Sequence, residues 1–317
     1  MAIVANTYLT YSAKGIREDL SDVIYNISPE DTPFFTMAKR ETVDNSLYEW
    51  QTDALASPNT GNAVLEGDEA TFDAVTPTAR IGNYCQISRK TVIISGTTER
   101  VKKAGRKSEI AYQLAKCSSE LKRDMEAISL ANQGAVAGSS TVARKTGSVL
   151  AFLKTNQSVG TGGAAPTWTT IPTGTRTDGT ARAFTESLLK AVILAVYQSG
   201  GNPKVLMVPP NQKQVASTFT GIAQSRFNVN GNKPATIVGA ADIYVSDFGN
   251  VEIVPNRFMR SRDALVLDPQ YVSIAYLRPF MKEELAKTGD AEKWMLLTEW
   301  GVKIGNEAAH GIVADLS

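Results

Sequence analysis

Apolar positions in this chain follow two rhythms, one helical and one strand-like, and their alternation outlines most of its elements. Ile16, Leu20, Val23, Ile24 and Ile27 recur at helical spacing, and the run Ser28-Pro29-Glu30-Asp31-Thr32-Pro33-Phe34-Phe35 stops that helix and starts a turn. From Leu47 to Thr52 the rhythm is that of a strand with Tyr48 and Trp50 on one face, and Arg80 to Ser95 returns to it with Ile81, Cys85 and Ile87 on one face. The segment between them, Asp53 to Ala79, is polar and punctuated by Pro58, Gly61, Gly67 and Pro77. The pattern predicts a long two-stranded arm with a large tip. An isolated ribbon of two strands is marginal in water, so this arm must rest on something else. A loop of this length without clear structure is either functional or disordered.

A basic run, Arg100 to Lys107, leads into the strongest helical pattern, Ser108 to Gln133. Ser108 is suited to the N-cap, and Ile110, Leu114, Cys117, Leu121, Met125 and Ile128 form one apolar stripe. At about 1.5 Å per residue the helix would span roughly 39 Å, long for a compact domain, so it reads as a spine. A coiled coil is the alternative for such a stripe, but Lys116 to Arg123 lacks a clean heptad.

Gly134 to Ala181 is rich in Gly, Ser and Thr around a short apolar segment, Val149 to Leu153. Trp168 and Ile171 favour ordered loop over free linker. Beyond it a mixed α and β domain is predicted. Phe184 to Gln198 is a helix ending at Gly200-Gly201-Asn202-Pro203, Lys204 to Val208 a buried strand, and Asn211 to Thr220 a short helix capped by Asn211. Ile237 to Val245, Val251 to Pro255, Ala264 to Leu267 and Val272 to Tyr276 are strands. Lys282 to Ala286 and Lys293 to Ile304 are two more, joined at Thr288-Gly289-Asp290 and expected to return to the spine.

Composition changes this picture little and narrows the function. At 317 residues the chain can bury roughly three quarters of its unfolded surface and has room for two domains. Lys and Arg total 33 against 32 for Asp and Glu, so no overall basic bias points to nucleic acid. Met1 to Lys14 lacks a basic n-region, and the longest apolar run, Leu188 to Tyr197, is broken by Lys190, so neither a signal peptide nor a membrane span is expected. Cys85 and Cys117 form no CxxC pair and read as small buried residues in a reducing compartment.

Catalytic chemistry is hard to find. The single histidine, His310, has no Cys or second His for a metal site and no nucleophile beside it, which leaves a surface or packed structural role. Gly160-Thr161-Gly162-Gly163 lacks the lysine and the strand-turn-helix setting of a phosphate cradle. The pairs Asp68 with Glu69 and Glu283 with Glu284 lie in polar stretches without pocket-forming neighbours and read as solvated or interface charge. No catalytic residue, metal or cofactor is expected.

Taken in order, the elements are an N-terminal arm, a β-arm, a spine helix, a mixed α/β domain and a β return. That order resembles the Hong Kong 97-type major capsid proteins of tailed phages, and the similarity covers nearly the whole chain. Its texture is also similar in Ser28-Pro29-Glu30-Asp31-Thr32-Pro33-Phe34, in Asp178-Gly179-Thr180, and in Lys204-Val205-Leu206-Met207-Val208-Pro209-Pro210. The ending, Glu299-Trp300-Gly301-Val302 through Asn306-Glu307-Ala308-Ala309-His310-Gly311, completes it.

The resemblance implies an α+β fold in five parts. They are an N-terminal arm at 1–46, an extended loop overlapping a neighbour at 47–95, a peripheral domain with the spine at 96–133, an axial domain at 134–262, and a β return with the C-terminal tail at 263–317. It implies a structural subunit that assembles in the host cytoplasm into pentamers and hexamers of an icosahedral head around double-stranded DNA. Portal and cement proteins are partners in that setting, and any scaffold would be a separate protein, because the arm starts within the first dozen residues. Some relatives cross-link through a lysine of the extended loop, and Asp53 to Ala79 contains none. The competing readings are a phage tail or decoration protein, or a small-molecule-binding α/β protein or enzyme.

Charge supplies candidate contacts. Asp53 to Ala79 holds Asp53, Glu66, Asp68, Glu69 and Asp73 with no basic residue, a charge of −5. Arg80 to Lys107 holds Arg80, Arg89, Lys90, Arg100, Lys102, Lys103, Arg106 and Lys107 against Glu99, a charge of +7. The acidic tip is expected to dock near Arg100 to Lys107 of the next subunit; the alternatives are a solvated basic face or a basic face on packaged DNA.

Overall fold

The computed structural model describes residues 31–69, 72, 74–219 and 243–317. The helix expected over Ile16 to Ile27, the first part of the strand expected over Ile237 to Val245, and Thr220 lie outside them.

The chain enters on α1 (Pro33–Met37), where a turn was expected. Pro33 occupies the first helical turn, where a missing N–H costs nothing and its fixed φ suits the helix. β1 (Lys39–Thr42) follows, a strand too short and polar to be read from the sequence. β2 (Leu47–Thr52) then pairs antiparallel with β3 (Ala79–Tyr84), from Leu47 opposite Tyr84 to Thr52 opposite Ala79.

The single strand expected over Arg80 to Ser95 is two. At Cys85 the chain leaves the ribbon, and β4 (Gln86–Ser95) joins another sheet, beside β11 (Ala291–Ile304). The two-stranded arm is correspondingly shorter than its pattern suggested, and Ile87 is exposed whereas Ile81 and Cys85 are buried. The ribbon does rest on something else: Tyr48 Oη donates to the Val302 carbonyl at 2.6 Å and Trp50 Nε1 to that of Gly305 at 3.1 Å.

Strand β11 pairs antiparallel with β10 (Val272–Leu285), and β1 pairs parallel with β10, giving the order β1-β10-β11-β4. The strands expected separately at Val272 to Tyr276 and Lys282 to Ala286 are one, kinked by register shifts between Tyr276 and Met281. Behind the short helix α2 (Gly96–Arg100), the spine α3 (Glu109–Leu130) lies against this sheet. It is about 33 Å long and stops three residues before Gln133. Leu121, Met125 and Leu130 of α3 share one core with Trp300, Val302, Ile274 and Phe34.

The remaining strands form a mixed sheet. They are β5 (Gln157–Ser158), β6 (Val205–Val208), β7 (Ile243–Ser246), β8 (Gly249–Pro255), β9 (Ala264–Leu267) and β12 (Gly311–Val313), ordered β5-β12-β9-β6-β8-β7. The short apolar segment before β5 is α4 (Val149–Phe152). α5 (Glu186–Gln198) lays Leu189, Val192, Ile193 and Val196 on a second core with Leu206, Val208, Val266 and Val313. It ends at Gly200, φ +86°, whose N–H reaches the Tyr197 carbonyl while that of Gly201 reaches Val196, a Schellman stop. α6 (Pro210–Ala216) begins one residue earlier than expected. Its N-cap position is Pro209, and the Asn211 side chain instead donates to the Ser261 carbonyl at 3.3 Å.

Candidate assembly interface

Between β2 and β3 the tip leaves the body of the subunit. Leu55 is 100% exposed and Phe72 98%, and Val64, Leu65 and Val75 are nearly as open. Local bonds shape it: Gly61 N–H donates to Asn59 Oδ1 at 2.9 Å, and Asp68 N–H to the Leu65 carbonyl at 3.1 Å, closing a turn that contains Gly67 at φ +86°. Glu66, Asp68 and Glu69 are exposed, and Asp73 lies outside the described residues. A soluble subunit rarely leaves an apolar set of this size open. In the sequence the acids stand out here and the five apolar residues do not, because their only signal is their density in a stretch without helical or strand rhythm.

The basic run is less uniform than its sequence suggests. Lys103 Nζ stands 3.7 Å from Glu99 Oε2 and donates to the Glu99 carbonyl at 3.1 Å. Arg106 pairs with Glu109 and stands 5.1 Å over the Tyr112 ring. Glu99 also accepts from the Glu109 N–H at 2.9 Å, beside Ser108, whose Oγ accepts from Ala111 N–H at 3.2 Å. Ser108 and these first amides of α3 hold the Glu99 carboxyl below the usual range. Arg100, Lys102 and Lys107 are exposed. Among the described residues no ion pair joins the tip to this run, so one subunit does not bring the two charge clusters together.

Beside the run, a groove of about 840 Å³ opens between β4 and the first half of α3. Ile93 and Val101 are exposed along it, and Lys103, Arg106 and Lys116 are among its lining residues. Its lining also carries Glu109 and Glu120, so charges of both signs stand in it.

The other candidates from the sequence have structural explanations. His310 is fully buried, its Nδ1 accepts from Asp268 N–H at 3.1 Å, and burial pushes its pKa down to about 3, so the ring is neutral. Glu283 and Glu284 are exposed on β10. Gly160 to Gly163 cradles a carboxylate of the chain itself. Asp315, at φ +61°, accepts from Gly160 N–H at 2.9 Å and Gly179 N–H at 2.8 Å and pairs with Arg262 at 2.9 Å. A Cβ on Gly160 would meet the Thr180 carbonyl at 2.2 Å, which is why glycine stands there. Cys85 and Cys117 are free thiols; burial pushes Cys85 up to about 12 and also raises Cys117, which is only half-buried. Among the described residues no cluster of His, Cys, Asp and Glu is fit to hold a metal, and no helix is long and apolar enough to cross a membrane.

A spine helix against a four-stranded sheet, a mixed sheet beyond it and a tip left uncovered together define a shell subunit of the Hong Kong 97 type. Solved structures share that architecture. The cyanophage A-1(L) capsid subunit superposes with a TM-score of 0.68 at 12% identity, over 97% of this chain and 98% of its own. The capsid of a native GTA particle gives 0.64 at 14%, over 97% and 98%. In sequence, the major capsid protein of Escherichia phage Phieco32 is 29% identical over 342 residues, 96% of each chain. The model of the SU10 major capsid protein family matches residues 3–317, and the chain belongs to that family. It is a phage major capsid protein, with an α+β fold, and it forms the capsid shell.

Proposed function

We propose that copies of this chain close as pentamers and hexamers into an icosahedral head around double-stranded DNA, and that the tip of each overlies the next. The observation that carries this reading is the tip itself, where five large apolar side chains stand open to solvent beside Glu66, Asp68 and Glu69. In this reading 1–46 is the arm, 47–95 the overlapping loop, 96–133 the peripheral domain, 134–262 the axial domain around the symmetry axes, and 263–317 the β return. Leu65 and Phe72 supply the apolar part of the contact, and the neighbour's Arg100, Lys102 and Lys107 the charge. Each exposed pair is weak alone, and the shell repeats it many times. The chain acts by assembly and not by catalysis; it assembles in the host cytoplasm, with portal, separate scaffold and cement proteins as further partners.

Electron microscopy of the purified protein is expected to show closed shells or rings of five and six, and a dispersed monomer would overturn the reading. Reversing Lys102 and Lys107 to Glu should block assembly, with partial rescue by Asp68→Lys and Glu69→Lys. Normal shells from the first variant with poor genome retention would place that face on DNA instead.

A further inference from the structure

Glu126 is a carboxylate in the wrong place for stability. It lies on α3 with no exposed surface, beside the core that holds Met125, Phe34, Met207 and Trp300. Burying such a group costs free energy that an apolar side chain of similar volume would avoid. Its partners show what is obtained in return. One carboxylate oxygen accepts from Phe34 N–H at 2.8 Å and the other from Phe35 N–H at 3.0 Å. These are orphan amides of the first turn of α1, whose own N-cap residue, Thr32, makes no side-chain cap. The first oxygen also accepts from Asn256 Nδ2 at 2.6 Å.

Asn256 is fixed from the other side. It follows β8 directly, its N–H donates to the Val208 carbonyl at 2.8 Å, and its Oδ1 accepts from Phe258 N–H at 2.9 Å. One buried side chain on the spine thus ties α1, from another part of the chain, to the end of a strand in the mixed sheet. Those two elements lie more than 200 residues apart in sequence, and Glu126 hydrogen-bonds to both.

We infer that Glu126 is a positioning residue for assembly: a three-way joint that fixes α1 relative to the spine and the mixed sheet. The joint makes these three elements turn as one body. A displacement of the mixed sheet is therefore passed to α1. The consequence for the shell rests on the assembly reading above; the coupling within one subunit does not.

The test is hydrogen exchange on the free full-length subunit, read at Phe34 and Phe35. Glu126→Leu should speed exchange there by roughly fivefold to thirtyfold, the range expected for loss of a helix cap, while the amides of α3 on either side stay protected. Glu126→Gln, which keeps one carbonyl acceptor, should recover part of the protection. Asn256→Ala is the decisive variant, because α1 does not hydrogen-bond to that side chain. It should speed exchange at Phe34 and Phe35 if the joint transmits, and leave them unchanged if Glu126 is only a local cap, which overturns the proposal. It also keeps the question open to answer if Glu126→Leu fails to fold. Shells of mixed diameter from Asn256→Ala, against uniform shells from the parent, are the expected effect on assembly. A parent protein that forms no shells would sink the assembly reading alone and leave the exchange result standing.

Discussion

Asp263 shows how far a single residue can be set against its surroundings. It is 1% exposed, with Arg260 Nη1 at 3.1 Å and Arg176 close by, yet burial outweighs both cations and pushes its carboxyl from 3.8 up to about 6. A carboxyl raised in this way gives stability that is fully present below about pH 4 and lost as the pH rises through 6. Urea unfolding of the subunit and of Asp263→Asn at a series of pH values should show it. The stability of the parent relative to the variant is expected to fall by roughly 3 kcal/mol between pH 4 and pH 7. A difference that stays flat with pH would mean that Arg260 and Arg176 hold the group ionised throughout. None of this was legible in the sequence, since Arg176 and Asp263 meet only through the fold. His310 was more legible, because a lone histidine with no metal-binding company has few roles besides packing.

Among the elements, the ones read well carry their own punctuation. The spine was legible from its stripe and from Ser108, and its start is set twice over, by Ser108 Oγ on Ala111 N–H and by Glu99 on the amides before it. Ser108→Ala should therefore cost about 1 kcal/mol, measured as a shift in the urea midpoint, and frayed exchange should be confined to the first turn of α3. Loss of protection along the whole helix would show that the cap governs more than its own end. The break between β3 and β4 was not legible, because apolar alternation runs straight through Cys85. The contacts that set β3 apart are remote: Asn83 Nδ2 donates to Thr146 Oγ1 at 3.0 Å, Gly147 O at 3.0 Å and Val302 O at 2.7 Å, so a side chain ties β3 to the 146–147 loop and to β11 while its backbone pairs with β2. The merging of β10 has the same kind of cause. Pairing with the unbroken β11 carries it through Pro279, where local preference alone would end a strand.

For the whole molecule, the order of parts was the legible feature, and the family assignment rests on the same length of chain. Of the proposed interface, only the charge stands out in the sequence. Its apolar half, from Leu55 to Val75, becomes visible when the tip is seen to have no cover of its own. With no lysine between Asp53 and Ala79, no covalent bond through the tip is expected to join subunits. Mature particles boiled in detergent and reductant should run as a monomer band, and a ladder of resistant oligomers would overturn this.

The position of β12 adds a constraint of timing. It lies between β5 and β9 in the mixed sheet, and Ile312, Val313 and Ala314 are almost wholly buried there. A strand made after every other in its sheet thus fills an interior place, and β5 has no sheet neighbour until it arrives. A growing chain still on the ribosome exposes that gap until residue 313 has emerged, so the mixed sheet closes only after all its other strands have been made. Chains stalled before Gly311 should be cut by protease within 157–182, and chains extended by a linker past Ser317 should resist. Chains that have not yet reached β12 have no closed mixed sheet to offer a growing shell.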